Sequence, residues 1–323
     1  MNRESVLVSG GAGYIGSHVS KALAKAGYQP VVLDDLSMGH EWAVKWGPLV
    51  KARIDDRSAV RDLIEKYQPV GVIHLAAKAY VGESVQHPDV YWNTNVRQML
   101  DFIEALRESE VRAMVFSSSC SVYGTPKVTP VTEDLPLDPL SPYAQSKLMG
   151  EWAIRAYAEA FGFHYALLRY FNAAGADPDG EIGEDHDPET HLIPLALQAA
   201  LDGTALQVFG SDYSTPDGTC IRDYVHVSDL AEAHVLALNQ IRRGTNVIAN
   251  LGSGVGNSVL EVARSIERIS GKSVDLVYKP RRAGDAEALF ASWKQAKNVL
   301  GWTPQYQDLD LIVGTAYRWT TSR

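Results

Sequence analysis

The chain has 323 residues, 46% of them hydrophobic, with a formal net charge of −9 at pH 7, a sign that excludes nucleic acid and anionic membrane surfaces as main partners. Its two cysteines, Cys120 and Cys220, lie far apart and offer neither a disulfide framework nor a zinc spacing, so no metal is expected and a reducing cytoplasm is the expected setting. No apolar run approaches the roughly 18 residues of a membrane span, and glycines, Ser17 and His18 interrupt an N-terminal stretch that loosely imitates an export signal.

The first element is an apolar run at Val6–Val8 that meets glycines at Gly10, Gly13 and Gly16, after which a helical pattern continues to about Ala26. This strand, glycine turn and helix form a phosphate cradle. Gly10 permits a tight turn, Gly13 lets backbone approach a pyrophosphate, and Gly16 lets the helix pack close on its strand. The helix N-terminus then offers free N–H groups to the anion. A second apolar run, Pro30–Leu33, ends in Asp34, about 20 residues beyond the glycines, where a carboxylate accepts ribose hydroxyls and repels a 2′-phosphate. The expected cofactor is therefore NAD rather than NADP.

A polar and aromatic loop, Leu36 to Trp46, precedes a short strand at Leu49-Val50 and a helix from Ser58 to Lys66. The run Gly71 to Ala77 reads as a strand buried on both faces. A long helix is expected over Asp89 to Ser109, a strand at Met114–Phe116, a helix at Pro142 to Phe161, and a strand at Tyr165 to Leu168. Strands alternating with helices in this way predict an α/β fold with a Rossmann-like, doubly wound parallel sheet. Beyond Asn172, polar loops at Ala176 to Thr190 and Ser211 to Thr219 read as binding loops. They surround a helix at Leu192 to Leu201 and a strand at Gln207 to Phe209; helices at Val227 to Asn239, Ser258 to Ile269 and Leu309 to Thr320 complete a smaller, interleaved α/β domain. The expected division is 1–171 for the cofactor domain, with 223–251 returning to it, and 172–222 plus 252–323 for the substrate domain.

The chemistry falls at Ser119, at the end of the strand carrying Phe116, and at Tyr143 and Lys147, four residues apart and so on one helix face. A tyrosine of pKa about 10 is too weakly acidic to be a base at neutral pH, but an adjacent ammonium favours its phenolate. Tyr143 is then expected to take a proton from a sugar or alcohol hydroxyl while the carbon beneath gives its hydride to the cofactor, Ser119 sharing the hydrogen bond.

Several runs together carry a resemblance: Gly-Gly-Ala-Gly-Tyr-Ile-Gly-Ser-His (10 to 18), Val-Gly-Glu-Ser-Val (81 to 85), Phe-Ser-Ser-Ser (116 to 119), Ser-Pro-Tyr with Lys147, Leu-Leu-Arg-Tyr-Phe-Asn (167 to 172), Asp-Gly-Thr-Cys-Ile-Arg-Asp-Tyr-Val-His-Val (217 to 227) and Pro-Arg-Arg-Ala-Gly-Asp (280 to 285). Over nearly its whole length the chain resembles the extended short-chain dehydrogenase/reductase family, in particular its UDP-glucose 4-epimerase branch. The resemblance implies reversible 4-epimerisation of UDP-glucose and UDP-galactose through a 4-keto sugar and tightly held NAD. By the same resemblance Tyr14 and Ile15 sit at the NAD pyrophosphate, Ala76 and Thr94 also line the cofactor, and Phe171 packs near the nicotinamide. Asn172, His191, Leu192, Gln207, Val208, Phe209, Arg222, Arg282 and Asp285 hold the UDP portion, two arginines suiting a diphosphate. It also implies a homodimer formed along the helices near 89–109 and 143–161, although Leu100, Ile103 and Leu106 suit an ordinary core equally well.

The departures from the family pattern fall on the cofactor side. Ala52-Arg53-Ile54-Asp55 replaces a usual Gly-Asp-(Ile/Val)-Arg, so an arginine stands where an acid would meet the adenine; Ala79 replaces a lysine, with Lys78 one residue early; Thr94 with Asn95 replaces Asn-Asn; and Gln98-Met99 replaces Gly-Thr. Leu289 stands where a bulky aromatic restricts relatives to glucose and galactose and a small residue admits N-acetyl sugars. Cys120 and Ser121 stand where dehydratases of this fold carry Asp-Glu, which argues against that activity.

Overall fold

The structure, a computed structural model, describes residues 3–282 and 284–323, so Ala283 of the 280–285 run lies outside the described residues. In chain order the elements are β1 (Ser5–Ser9), α1 (Tyr14–Lys25), β2 (Gln29–Asp34), β3 (Leu49–Lys51), α2 (Arg57–Tyr67), β4 (Val72–His74), α3 (Val81–Gln86), α4 (Pro88–Tyr91), α5 (Met99–Arg107), β5 (Ala113–Ser119), α6 (Pro142–Phe161), β6 (His164–Tyr170) and β7 (Asn172–Ala174). There follow α7 (Leu192–Asp202), β8 (Ala205–Phe209), β9 (Ile221–His226), α8 (Val227–Ile241), β10 (Val247–Leu251), β11 (Gly256–Ser258), α9 (Val259–Ser270), β12 (Asp275–Lys279), β13 (Ala288–Leu289), α10 (Lys294–Leu300) and α11 (Leu309–Thr321).

Local chemistry sets these boundaries. Asp56 caps α2 by accepting from Ser58 and Ala59 N–H, and Ser141 caps α6 from just before Pro142, whose missing N–H costs nothing there. Ser258 and Glu261 close a reciprocal capping box on α9.

Seven parallel strands form the main sheet in the order β10-β6-β5-β4-β1-β2-β3. The order reverses between β1 and β4, and in such sheets ligands bind outside the carboxyl ends of the strands at that reversal. Val19, Leu23, Leu230 and Leu238 pack on one face, from α1 and α8, while Leu63, Phe102, Ile103 and Ile154 cover the other, from α2, α5 and α6. The fold is thus the expected doubly wound α/β sheet. Beside it, β9 pairs with β7, β11 and β13, β8 pairs with β12, and α7, α9 and α11 enclose a separate apolar core around Ile193, Ile266 and Ile312.

Two elements differ from expectation. The strand expected over 71–77 is only Val72–His74, because the N–H groups of Leu75 and Ala76 both turn onto the Ser9 carbonyl, at 2.9 and 3.0 Å, and wrap over the glycine turn. The helix expected over 89–109 is α4 and α5 joined by a widened π-helical stretch, Trp92–Gln98, of a kind that recurs at functional sites. It carries buried Asn95, whose amide bonds both the N–H and the carbonyl of Lys78 and also Ser146 Oγ. Ile103 and Leu106 are core residues with Leu100 packed against them.

Candidate active site

A cavity of about 1010 Å³ runs along the carboxyl ends of the sheet at the reversal. Its cofactor-side wall is mostly backbone. Gly10 has φ +75°, and a Cβ there would lie 2.6 Å from Ala76 N; at Gly16 one would lie 2.1 Å from the Gly10 carbonyl oxygen. Neither position has room for a side chain. At Gly13 a Cβ would meet only that same oxygen at 3.4 Å, so the loop's open side faces the cavity. The first intrahelical bond is Ser17 N–H to Gly13 carbonyl, which leaves the N–H groups of Tyr14, Ile15 and Gly16 without intrahelical acceptors. Buried Asp34 accepts Ala12 N–H and Leu36 N–H, each at 2.9 Å and one on each oxygen, and both oxygens keep a further lone pair. Burial raises its pKa against the pull of those two donors. Ala76 and Thr94 line the same wall, as do Lys78, Ala79 and Gln98. Asp55 is engaged by Arg53 through two hydrogen bonds of 2.7 and 2.9 Å, so neither side chain is unpaired.

Ser119, Tyr143 and Lys147 all line the cavity. Ser119 Oγ accepts from Ser121 N–H and Ser121 Oγ, which leaves its own proton free to turn toward Tyr143, an approach that favours the phenolate. Lys147 Nζ donates to the Ser117 carbonyl at 2.8 Å and lies 5.9 Å from the Tyr143 ring centre. Lys147 stands one turn along the same helix face as the phenol, as expected. Burial pushes Tyr143 up to about 12 and the Lys147 ammonium down to about 7. Tyr143 is half-buried on the cavity wall and Lys147 is buried, so the charged form of each is disfavoured. Beneath them a buried network fixes β5, β6 and α6: Glu151 accepts from Ser118 Oγ at 2.5 Å and pairs with Arg169 at 2.6 Å, and Arg169 also donates to Tyr123.

The opposite wall comes from loops. Phe171, Asn172, His191, Arg222, Arg282, Asp285 and Leu289 all line the cavity. Asp285 pairs with Arg222 at 3.4 Å rather than with Arg282, whose guanidinium lies 3.7 Å over the Phe209 ring. Leu192, Gln207, Val208 and Phe209 are not among the lining residues: Val208 is buried in a small core with Tyr213, Leu192 packs against that core, Gln207 is exposed, and Phe209 stands behind Arg282. Of the two loops expected to bind, 176–190 contributes Glu184, His186 and Thr190, whereas none of 211–219 lines the cavity. Sequence reasoning missed Glu184, His186 and Glu189, which gather around His191; the alternation Glu-x-His-x-x-Glu-x-His was their signal.

A strand-order reversal, a side-chain-free phosphate turn and a serine, tyrosine and lysine that line one cavity define a dinucleotide-dependent α/β protein of the short-chain dehydrogenase/reductase kind. The family profile described as the NAD dependent epimerase/dehydratase family matches residues 6–252. The chain is 46% identical, over 100% of its length and 99% of the relative, to a UDP-glucose 4-epimerase of Rhizobium meliloti (strain 1021). Among solved structures it resembles UDP-glucose 4-epimerase from Brucella ovis in complex with NAD (TM-score 0.95, 50% identity, 97% of each chain covered). It also resembles the Bifidobacterium longum UDP-glucose 4-epimerase in complex with NAD+ and UDP (TM-score 0.93, 35% identity, 99% and 98% covered). The chain belongs to the NAD dependent epimerase/dehydratase family.

Proposed function

We propose that this protein is an isomerase that interconverts UDP-glucose and UDP-galactose by inverting C4, with NAD as its cofactor. One observation carries this reading: the Ser119, Tyr143 and Lys147 cluster shares a single cavity with the glycine turn at one end and with Arg222, Arg282 and Asp285 at the other. The chain fits the cofactor. Gly10 and Gly16 leave no space for any side chain between turn and sheet, the free N–H groups of Tyr14, Ile15 and Gly16 suit a pyrophosphate, and Asp34 suits the adenosine ribose. When bound, NAD supplies the two-electron oxidant for C4 and a positive ring charge that favours a nearby phenolate.

The chain's own groups do the rest. Ser119 donates to the Tyr143 oxygen, and Tyr143 takes the proton of the sugar 4-hydroxyl, leaving a 4-keto sugar, and later returns it. Lys147 stays anchored on the Ser117 carbonyl beside them. Arg222 and Arg282 hold the diphosphate through charge-assisted hydrogen bonds, so the sugar turns over without leaving and re-presents its other face. Phe171 and Leu289, packed in one apolar cluster, border the sugar end. Leu289 is of intermediate bulk, which favours unsubstituted hexoses over N-acetylated ones. At the position where a dehydratase carries an acid, the Cys120 thiol is pushed up to about 12 by burial.

Incubation of the purified protein with UDP-galactose, followed by separation of the sugar nucleotides, tests the reading. UDP-glucose is expected to form without net consumption of added coenzyme; NAD binding with no conversion would identify a sensor instead. The proposal includes a cytoplasmic homodimer, supported by Met149 and Trp152, 39% and 58% exposed on α6, and light scattering gives its mass directly. The partner is a UDP-hexose. The net charge of −9 disfavours nucleic acid, and no helix among the described residues is long and apolar enough to cross a membrane.

A further inference from the structure

Two clusters of potential metal ligands stand on the 176–190 loop and its junction with α7, and they are built differently. Asp177, Asp179 and Glu181 already hold a cation, since Lys21 Nζ reaches all three at 2.7, 2.7 and 2.5 Å. Glu184, His186, Glu189 and His191 converge with one ligand atom each, all within 4.8 Å of one another, and among the described residues no lysine or arginine pairs with either glutamate. Both histidines present the same ring nitrogen, Nδ1, to the centre. His191 Nδ1 lies 2.8 Å from Glu184 and 2.9 Å from Glu189, and His186 Nδ1 lies 3.1 and 3.7 Å from the same two carboxylates.

The geometry points to a divalent transition-metal site, zinc by preference, at which Glu184, His186, Glu189 and His191 are the four ligands. A tetrahedral zinc site with bonds of about 2.0–2.1 Å has ligand-to-ligand edges of roughly 3.3 Å; both Nδ1 atoms lie near that distance from one Glu184 oxygen, at 2.8 and 3.1 Å, and each faces a different oxygen of Glu189, at 2.9 and 3.7 Å. Imidazole nitrogen and carboxylate oxygen are both zinc donors, and four protein ligands close the coordination shell, so the ion clips the loop in place rather than meeting substrate. The alternative to a metal is a pair of imidazoliums. Two cationic Nδ1–H groups would then converge on a single Glu184 oxygen, whereas one divalent ion neutralises both carboxylates with both rings uncharged. Coordination through Nδ1 leaves His191 Nε2 available to the cavity that His191 lines. The inference does not depend on which sugar is turned over.

The test titrates chelator-treated protein with zinc chloride by calorimetry near pH 7.5 and repeats it with cobalt(II) by absorption. The wild type is expected to take up one equivalent with release of protons, His87→Ala, an exposed control, to match it, and Glu184→Gln and His186→Ala to bind on the order of 100-fold more weakly or worse. Bound cobalt is expected to show the intense d–d absorption of a four-coordinate ion, a readout that needs no variant to fold. Absence of stoichiometric uptake by the wild type, cluster variants that bind as tightly as the wild type, or a weak six-coordinate cobalt spectrum would each overturn the site.

Discussion

The two walls of the cavity are built by opposite means. The cofactor wall is backbone at close quarters: Gly10, Gly13, Gly16 and Asp34 fall within one strand-turn-helix-strand unit, and what they do follows from the absence of a side chain or from one carboxylate at a strand end. The substrate wall is side chains brought from far apart, with Phe171 between β6 and β7, Asn172 at the start of β7, His191 before α7, Arg222 on β9, Arg282 and Asp285 in the β12 to β13 connection, and Leu289 on β13. A wall made by local geometry tolerates no added atom, whereas one made by long-range side chains loses affinity piecemeal.

The largest effect is expected where the walls meet. Tyr143→Phe should lower turnover of UDP-galactose by about 10²–10⁴-fold, the range for a lost general acid-base, while nucleotide binding measured by calorimetry survives. Next is the support beneath that point. Glu151→Ala leaves the Arg169 guanidinium buried without its partner and should destabilise the fold by about 3–5 kcal/mol in denaturant titration. The walls themselves are then separable. Gly16→Ala forces a Cβ to 2.1 Å from a backbone carbonyl, so the purified variant should retain little NAD; Arg282→Ala should retain it and raise KM for UDP-galactose roughly 10–100-fold, the worth of one charged hydrogen bond. If both variants lost cofactor equally, the division into two walls would be wrong.

The smallest effect concerns pH. The Lys147 pKa is lowered by burial to about 7 from an ordinary 10.5, so the folded chain binds fewer protons than the unfolded chain between those values. This group's penalty is full below pH 7 and fades as pH rises to 10.5. Lys147→Met should therefore gain melting temperature relative to the wild type at pH 6.5 and lose that relative gain by pH 10, as read by calorimetry.

The same contrast explains what the sequence made legible. The glycine turn, Asp34, and the Tyr143 and Lys147 pair are short-range patterns, and helix α6 begins at Pro142 and ends at Phe161 as expected. The truncated β4 and the π-helical stretch were hidden, because one depends on Leu75 and Ala76 reaching Ser9 and the other accompanies Asn95 reaching Lys78. The resemblance pointed to the 207–209 strand, yet a strand's alternation turns Val208 into the core and leaves only Phe209 near the cavity, behind Arg282. The Tyr143 pKa depends on burial, which no four-residue spacing reveals.

The most direct measurement follows a deuterium label placed at C4 of UDP-galactose through a single turnover in ordinary water. If Tyr143 moves only the hydroxyl proton and the carbon-bound hydrogen is stored within the closed site, the UDP-glucose formed carries the full label at C4. Washout of that label into solvent would contradict the account, because it would show that the carbon-bound hydrogen leaves as an exchangeable proton.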